Sequence, residues 1–295
     1  MAMMMKSVAA RLQRLQQKQQ QSWISVSIRL LSSSSSPQDA NAEFALGVKH
    51  FLGKADVQTP SSKSPVQHAV LHWTNAALQG HVKAQSALGN LYMRGHGEIQ
   101  RNEKLAQQFL QQAADAGHES SCHELGKLYF YGSEAVAIDL RGIHVTQDAT
   151  KSVQLYQQAA SKGMPEAHRA LGKVYLQGRD EVSQNLKKAV THFKIAAEAS
   201  FAPAQFDLGA CYMLGRGVER DFQQAAQLFF LAAEAGIPEA QLCLAQLFER
   251  GNGVPVNREK AVQYYQIAAQ NGLTDAKQAL DRLGEPHEPP QQQKQ

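Results

Sequence analysis

Histidine pairs are the first places where residue spacing in this chain could support chemistry. His68 and His72 lie four residues apart, and so do His118 and Cys122. Residues at this spacing share one face of a helix, and such a pair can ligate a transition metal if a third ligand converges on it. Because no third ligand is evident near either pair, we predict no metal site. We interpret these residues as solvated surface positions.

The three cysteines offer a second possible chemistry. Cys122, Cys211 and Cys243 show neither C-x-x-C spacing nor the even number expected of a disulfide framework. We interpret them as small buried or half-buried thiols. The sequence also lacks the motifs G-x-x-x-x-G-K-[ST], H-E-x-x-H and G-x-S-x-G. It therefore predicts no catalytic residue and no cofactor, and we expect a protein that is not an enzyme.

Positive charge is concentrated at the N-terminus. The 295 residues contain 30 Lys and Arg against 26 Asp and Glu, but five of the bases precede the first acid, Asp39. The rest of the chain is close to neutral, which argues against a basic stripe that neutralises nucleic-acid phosphates. No segment approaches the run of about 20 apolar residues that a membrane-spanning helix needs. We therefore expect neither a nucleic-acid partner nor a transmembrane segment.

Residues 1 to 36 have the composition of a mitochondrial presequence. They contain no Asp or Glu, several spaced Lys and Arg, many Gln and Ser, and apolar residues at helical intervals such as Val8 and Leu12. A positive amphipathic helix is attracted to anionic membrane surfaces and to a negative interior potential. We predict a mitochondrial protein, with the matrix as the favoured compartment. The alternative is a disordered Gln- and Ser-rich tail on a cytoplasmic protein.

The elements that must position these residues form an internal repeat. A Leu-Gly pair or its counterpart recurs at intervals of 36 to 46 residues, starting at Leu46, Leu88, Leu125, Leu171, Leu208 and Leu244. An Ala-Ala pair recurs in step, starting at Ala76, Ala113, Ala159, Ala196, Ala232 and Ala268. Because the two patterns move together, they indicate one repeating structural unit.

Each unit has the pattern of two helices. In the first helix a small residue, Leu and an aromatic residue fall at i, i+4 and i+8, as in Ala204, Leu208 and Tyr212. In the second helix a small residue, a large apolar residue and Ala fall at i, i+4 and i+7. Large residues of one helix can therefore sit against small residues of its neighbours. Glycine follows each helix except where Ser200 replaces it, which predicts a less regular turn there.

These patterns identify a family resemblance. The units from Ala204 to Ile237 and from Ala240 to Leu273, with their A-Q-x-x-L-G-x-x-Y-x-x-G-x-G-V-like elements, resemble Sel1-like repeats, which are relatives of tetratricopeptide repeats. The resemblance implies an all-α fold: a right-handed superhelical solenoid of about six antiparallel helix hairpins plus a C-terminal capping helix. We place this solenoid at residues 40–284, with a degenerate first unit at 40–82 and a disordered tail at 285–295. An insertion at about 133–148 is expected to form a loop, or alternatively a small hairpin.

The resemblance implies protein partners bound on the concave face that the first helices line. If each repeat Leu points to the core, the opposite helix face includes six candidate partner-binding residues, namely the apolar Phe206, Met213 and Leu242 and the basic Lys127, Arg169 and Lys173. These favour a groove for a peptide or helix with apolar anchors and some acid. The alternative is that the apolar members pack between repeats. We predict a non-enzymatic scaffold; the alternatives are a hydrolase of the cysteine-rich Sel1-like type, or a quality-control scaffold of the cytosol or endoplasmic reticulum.

Overall fold

The computed structural model describes residues 37–54, 64–132, 147–179 and 181–287. Contacts divide the chain into two compact bodies. The N-terminal body includes the described residues up to Leu125, and the C-terminal body includes those from Gly126 onward. The predicted presequence, residues 55–63, residues 133–146 of the insertion predicted at about 133–148, and residues 288–295 of the tail predicted at 285–295 lie outside the described residues.

Every regular element within the described residues is an α-helix, which confirms the predicted all-α fold. The N-terminal body contains α1 to α4 and the first half of α5, with these bounds: α1 Pro37–Phe51, α2 Pro65–Leu78, α3 Val82–Arg94, α4 Glu103–Asp115 and α5 Glu119–Tyr131. The remaining helices belong to the C-terminal body: α6 Ala149–Ala160, α7 Pro165–Gln177, α8 Leu186–Glu198, α9 Ala202–Leu214, α10 Phe222–Glu234, α11 Pro238–Arg250, α12 Arg258–Gln270 and α13 Thr274–Leu283.

Helices that are adjacent in sequence pack against each other, as a repeat solenoid requires. The closest pairs within each body are α1 with α2, α3 with α4, α7 with α8, α9 with α10, and α11 with α12. Helix α13 packs on α12 and buries Ala276 and Leu280 at the end of the array. We number the hairpins as repeats one to six, beginning with α1 and α2.

Local sequence determines where both helices of a repeat begin. From the second repeat onward, the second helix starts after an Asn or Asp whose side-chain oxygen accepts a backbone N–H of the first turn: Asn102, Asp148, Asn185, Asp221 and Asn257. The first helices α7, α9 and α11 carry proline in the first turn, at Pro165, Pro203 and Pro238. Proline loses no helical hydrogen bond at these positions.

A ring from the second helix lies directly on the backbone of the first helix in each of repeats three to five. A Cβ atom added to Gly126 would lie 2.7 Å from the Tyr156 ring, and one added to Gly209 would lie 2.8 Å from the Phe229 ring. Gly172 faces the buried Phe193 ring in the same way. The glycine of each Leu-Gly pair is therefore needed for close helix approach, as the pairing of large with small residues predicted.

A side chain of each later repeat reaches back to the helix before it. Glutamine Nε2 donates to an alanine carbonyl eight residues earlier in three repeats: Gln85 to Ala77 (3.3 Å), Gln205 to Ala197 (3.4 Å) and Gln241 to Ala233 (3.3 Å). In the third repeat Cys122 Sγ takes the same role toward the Ala114 carbonyl at 3.8 Å. These carbonyls lie in the last turn of a helix, and each also accepts a backbone N–H from the turn that follows. The side chain is therefore a second donor to the helix end, and it joins successive repeats.

The turn at Ser200 is regular, so the prediction of a less regular turn was wrong. Ser200 adopts a φ of 58°, and its N–H donates to the Ala197 carbonyl at 2.9 Å. Gly236 adopts a φ of 85° at the same place in the next repeat, with an equivalent 2.9 Å bond to Ala233. The neighbouring helices hold serine in a left-handed conformation that costs a non-glycine residue about 1–2 kcal/mol.

Substituting Gly172→Ala tests the close contact with Phe193. Alanine alone would stabilise a helix interior by about 0.5–1 kcal/mol. Because its Cβ would overlap the ring, we expect instead a loss of about 1–3 kcal/mol in the free energy of unfolding, measured by urea denaturation. Gln177→Ala, at an exposed position in the same helix, is the control and should change stability little. Unchanged or increased stability of Gly172→Ala would contradict the contact.

Candidate protein-binding face

The six predicted partner-binding residues all lie on first helices of the C-terminal body, and we call them the first-helix face. Lys127 lies on α5, Arg169 and Lys173 on α7, Phe206 and Met213 on α9, and Leu242 on α11. Each of the six side chains is half-buried. The face is thus neither a solvated surface nor part of the closed core.

The apolar members of the face are anchored by the helices behind them. The Phe206 ring packs at 42° on the buried Phe229 ring, with centroids 5.8 Å apart. Phe206 and Met213 contact one hydrophobic cluster, which α10 and α11 supply, whereas Leu242 contacts the next cluster along. These residues therefore help to pack the repeats while part of each side chain stays open to solvent.

The basic members of the face include an ion pair that sequence reasoning missed. Arg169 Nε donates to Asp207 Oδ2 at 2.6 Å, and the two side chains are only 28% and 15% exposed. Asp207 directly precedes the repeat residue Leu208, so it belongs to the fifth repeat while Arg169 belongs to the fourth. The sequence did contain a signal for this ion pair: Asp207 directly follows Phe206, and the neighbouring repeat carries basic residues on the same helix face. The pair fixes the guanidinium against α9, the helix that also carries Phe206 and Met213.

Lys173 shares the environment of this ion pair. Burial lowers the pKa of the Lys173 ammonium, and the nearby Arg169 lowers it further, while the Asp207 carboxylate opposes both effects. One carboxylate therefore serves two cations, and the local charge is positive. An acidic group of a partner would relieve this imbalance, since it would supply a second anion beside the two bases.

Burial makes the cysteines poor nucleophiles. It raises the pKa of the Cys211 thiol to about 11, and that of Cys243 also to about 11, helped by the carboxylates of Asp207 and Glu239 respectively. The thiolate is the reactive form of cysteine, so both side chains stay protonated and unreactive at neutral pH. Cys122 is buried and also has a raised pKa. All three are free thiols, as the sequence predicted.

The histidine and cysteine pairs noted in the sequence take structural positions. His118 Nδ1 accepts the Ser121 N–H at 3.3 Å at the start of α5, and Cys122 contacts the Ala114 carbonyl. His68 and His72 are half-buried against α1 rather than solvated, so that interpretation was wrong. None of the described helices is long and apolar enough to cross a membrane.

A family model and two solved structures resemble this chain. The Sel1 repeat model matches residues 82–118, 120–164, 165–201, 202–237 and 238–273. A protective antigen of uropathogenic Escherichia coli with an SLR fold is 27% identical, with a TM-score of 0.69; the match covers 83% of this chain and 48% of that one. A Sel1 repeat protein from Oxalobacter formigenes is 26% identical, with a TM-score of 0.67 and coverage of 82% and 87%. This chain thus spans about half of the first protein, and no curated protein matches it.

The His168–His192 pair predicts how stability depends on pH. The two Nδ1 atoms lie 3.2 Å apart, and the His192 ring stacks on Tyr175. Burial, followed by the effects of His168 and Lys188, lowers the pKa of His192 from 6.5 to about 4. Burial also lowers the pKa of His168. Both rings are therefore neutral in the folded protein under conditions where unfolded histidine already binds protons.

We expect the free energy of unfolding to fall as the pH drops from 6.5 to about 4, because only the unfolded chain takes up these protons there. After allowance for solvent screening, His192 should account for roughly 1–2 kcal/mol of the loss. Urea denaturation across this pH range is the measurement. His192→Gln should flatten the curve, whereas His96→Gln, at an exposed histidine, should not. Identical curves for wild type and His192→Gln would refute the assignment.

Proposed function

This chain belongs to the Sel1 repeat family, and we propose that it is a non-enzymatic scaffold that binds a peptide or helical segment of another protein on its first-helix face. Sel1 repeat proteins generally mediate protein–protein interaction, and the fold is that of an interaction scaffold rather than an established enzyme fold. Repeat arrays present a row of equivalent helices, which suits the recognition of an elongated partner.

The observation that carries the proposal is the pairing of fixed positive charge with half-open apolar side chains on neighbouring helices. Asp207, which follows Phe206 on α9, holds Arg169 by an ion pair, and Lys173 lies in the same electrostatic environment. Apolar anchors in partly formed pockets supply most of the affinity of such interfaces, and charges set the orientation of the partner. A segment that combines apolar residues with Asp or Glu would match both features.

The chemistry of the cysteines supports a scaffold over a hydrolase of the cysteine-rich type. Such a hydrolase would need an activated thiolate or another prepared nucleophile. Here the raised pKa values of Cys211 and Cys243 keep both thiols protonated at neutral pH. The contacts given above for Cys211 and Cys243 include no base that would activate either thiol.

A peptide-display selection with the full chain tests the binding face. We expect selected peptides to combine apolar and acidic residues, and Lys173→Glu to weaken their binding at least about tenfold, because it reverses the charge of a half-buried side chain beside Arg169. Lys187→Glu, at an exposed position on the second helix α8, is the matched control and should leave affinity unchanged. Circular dichroism should show equal helicity in both variants. Equal binding by the two variants would place the binding site elsewhere.

We further propose that residues 1 to 36 direct the scaffold to mitochondria, with the matrix as the destination. The composition of these residues supports the proposal, because they contain spaced Lys and Arg, no acid, and apolar residues at helical intervals. The cytoplasm is the alternative compartment.

Proximity labelling with the native N-terminus intact reports compartment and neighbours in one experiment. We expect matrix proteins to be labelled, because a positive amphipathic segment follows the membrane potential. A chain that begins at residue 37 is the control and should label cytosolic proteins. Cytosolic labelling by the intact chain would reject the mitochondrial proposal while leaving the scaffold proposal standing.

A further inference from the structure

Three histidines from the first repeat meet at one place on its surface. His50 lies in the last turn of α1, and His68 and His72 lie one turn apart on α2. The His50 ring centroid is 5.1 Å from that of His68 and 5.3 Å from that of His72. The prediction of no metal site depends on the absence of a third ligand near His68 and His72 in the sequence. Packing of α1 on α2 supplies one from a distant position in the chain.

His72 is already oriented in the manner of a metal-ligating histidine. Its Nδ1 lies 2.8 Å from Glu43 Oε2, on the neighbouring helix. Asn75 Nδ2 donates to the same carboxylate oxygen at 3.4 Å, which helps to hold it in position. With Glu43 ionised, this contact fixes the proton of His72 on Nδ1 and leaves Nε2 as the atom with a lone pair. A carboxylate that orients a histidine and raises its basicity in this way is the usual second shell of a metal site.

His50 contributes a buried nitrogen with nothing bound to it. The Nδ1 atom of His50 is shielded from solvent and has no hydrogen-bond partner. Buried polar atoms of this kind are uncommon and costly, because the atom loses water without a replacement. A ligand that accepts the lone pair of Nδ1 would remove this cost.

The ring spacing suits a tetrahedral ion, although the donor atoms do not yet converge. Zinc binds imidazole nitrogen at about 2.0–2.1 Å, which places neighbouring ring centroids roughly 5 Å apart. The rings are now stacked at interplanar angles of 21° and 11°, and no three ligand side chains in the described segments are arranged to hold an ion. Histidine χ2 has a broad energy profile, so the His50 and His68 rings can turn towards Nε2 of His72 while their centres stay in place and the Glu43 contact is kept.

We propose that His50, His68 and His72 bind one transition-metal ion of the zinc type, with Glu43 orienting His72 and water completing the coordination. Three imidazole ligands with an open fourth position favour Zn²⁺ and its neighbours over Mg²⁺ or Ca²⁺, which prefer oxygen ligands. The ion would join α1 to α2 and so stabilise the repeat that precedes the first segment matched by the family model.

The test is a titration of the tag-free, chelator-treated full chain with Zn²⁺. Calorimetry measures the number of ions bound and their affinity, and thermal unfolding measures the change in stability. We expect one ion per chain and a higher melting temperature. Co²⁺ in place of Zn²⁺ should give the visible absorption of a tetrahedral complex. The variant His68→Gln/His72→Gln should lose the one-ion binding step. Glu43→Gln should weaken it by about tenfold, because the histidine is no longer oriented by a charged acceptor.

The matched control is His96→Gln/His287→Gln, which also removes two histidines but takes them from exposed positions. It should bind Zn²⁺ like the wild type. If the His68→Gln/His72→Gln variant lost helicity, the single variant His50→Gln and its Co²⁺ spectrum would decide the question. The proposal is overturned if Zn²⁺ shows no saturable binding, or if binding and the Co²⁺ spectrum are the same with and without the three histidines.

Discussion

The contact between a second-helix side chain and a first-helix glycine is the constraint on which the rest of this structure depends. In repeats three to five a ring lies so close to the first helix that no Cβ fits between them. Van der Waals contact at this distance buries the ring itself fully, as Tyr156, Phe193 and Phe229 show. The last repeat differs in having alanine at the glycine position: the buried Ala245 lies in the same cluster as Tyr265.

The fold could be predicted because its packing is encoded by residues close together in sequence. The Leu-Gly and Ala-Ala patterns specify which positions are small, and that is the information a hairpin needs. The conformation of Ser200 could not be predicted, because helix packing imposes it against the residue's own preference. Asp207 and His50 were missed for another reason: each acts on a side chain from a different helix, and only the packed hairpins show which residues meet.

The first-helix face combines structural and recognition roles in the same side chains. Phe206 fills space beside Phe229 and also leaves part of its ring accessible. Arg169 is held by Asp207, so a partner meets a guanidinium whose conformational entropy has already been lost. Pre-organisation of this kind lowers the cost of binding. It also means that an acidic partner competes with Asp207, which favours selectivity over strength.

The eight-residue link from a first-helix side chain to the preceding alanine carbonyl has a consequence for how the chain can vary in length. It is unchanged on both sides of the predicted insertion: Cys122 reaches Ala114, and His168 interacts with the Ala160 carbonyl. The eight-residue contact thus fixes the length of the turn between repeats, whereas it places no limit on the length of the connection inside a repeat. Insertions and deletions in related chains should accumulate in one class of loop and be excluded from the other.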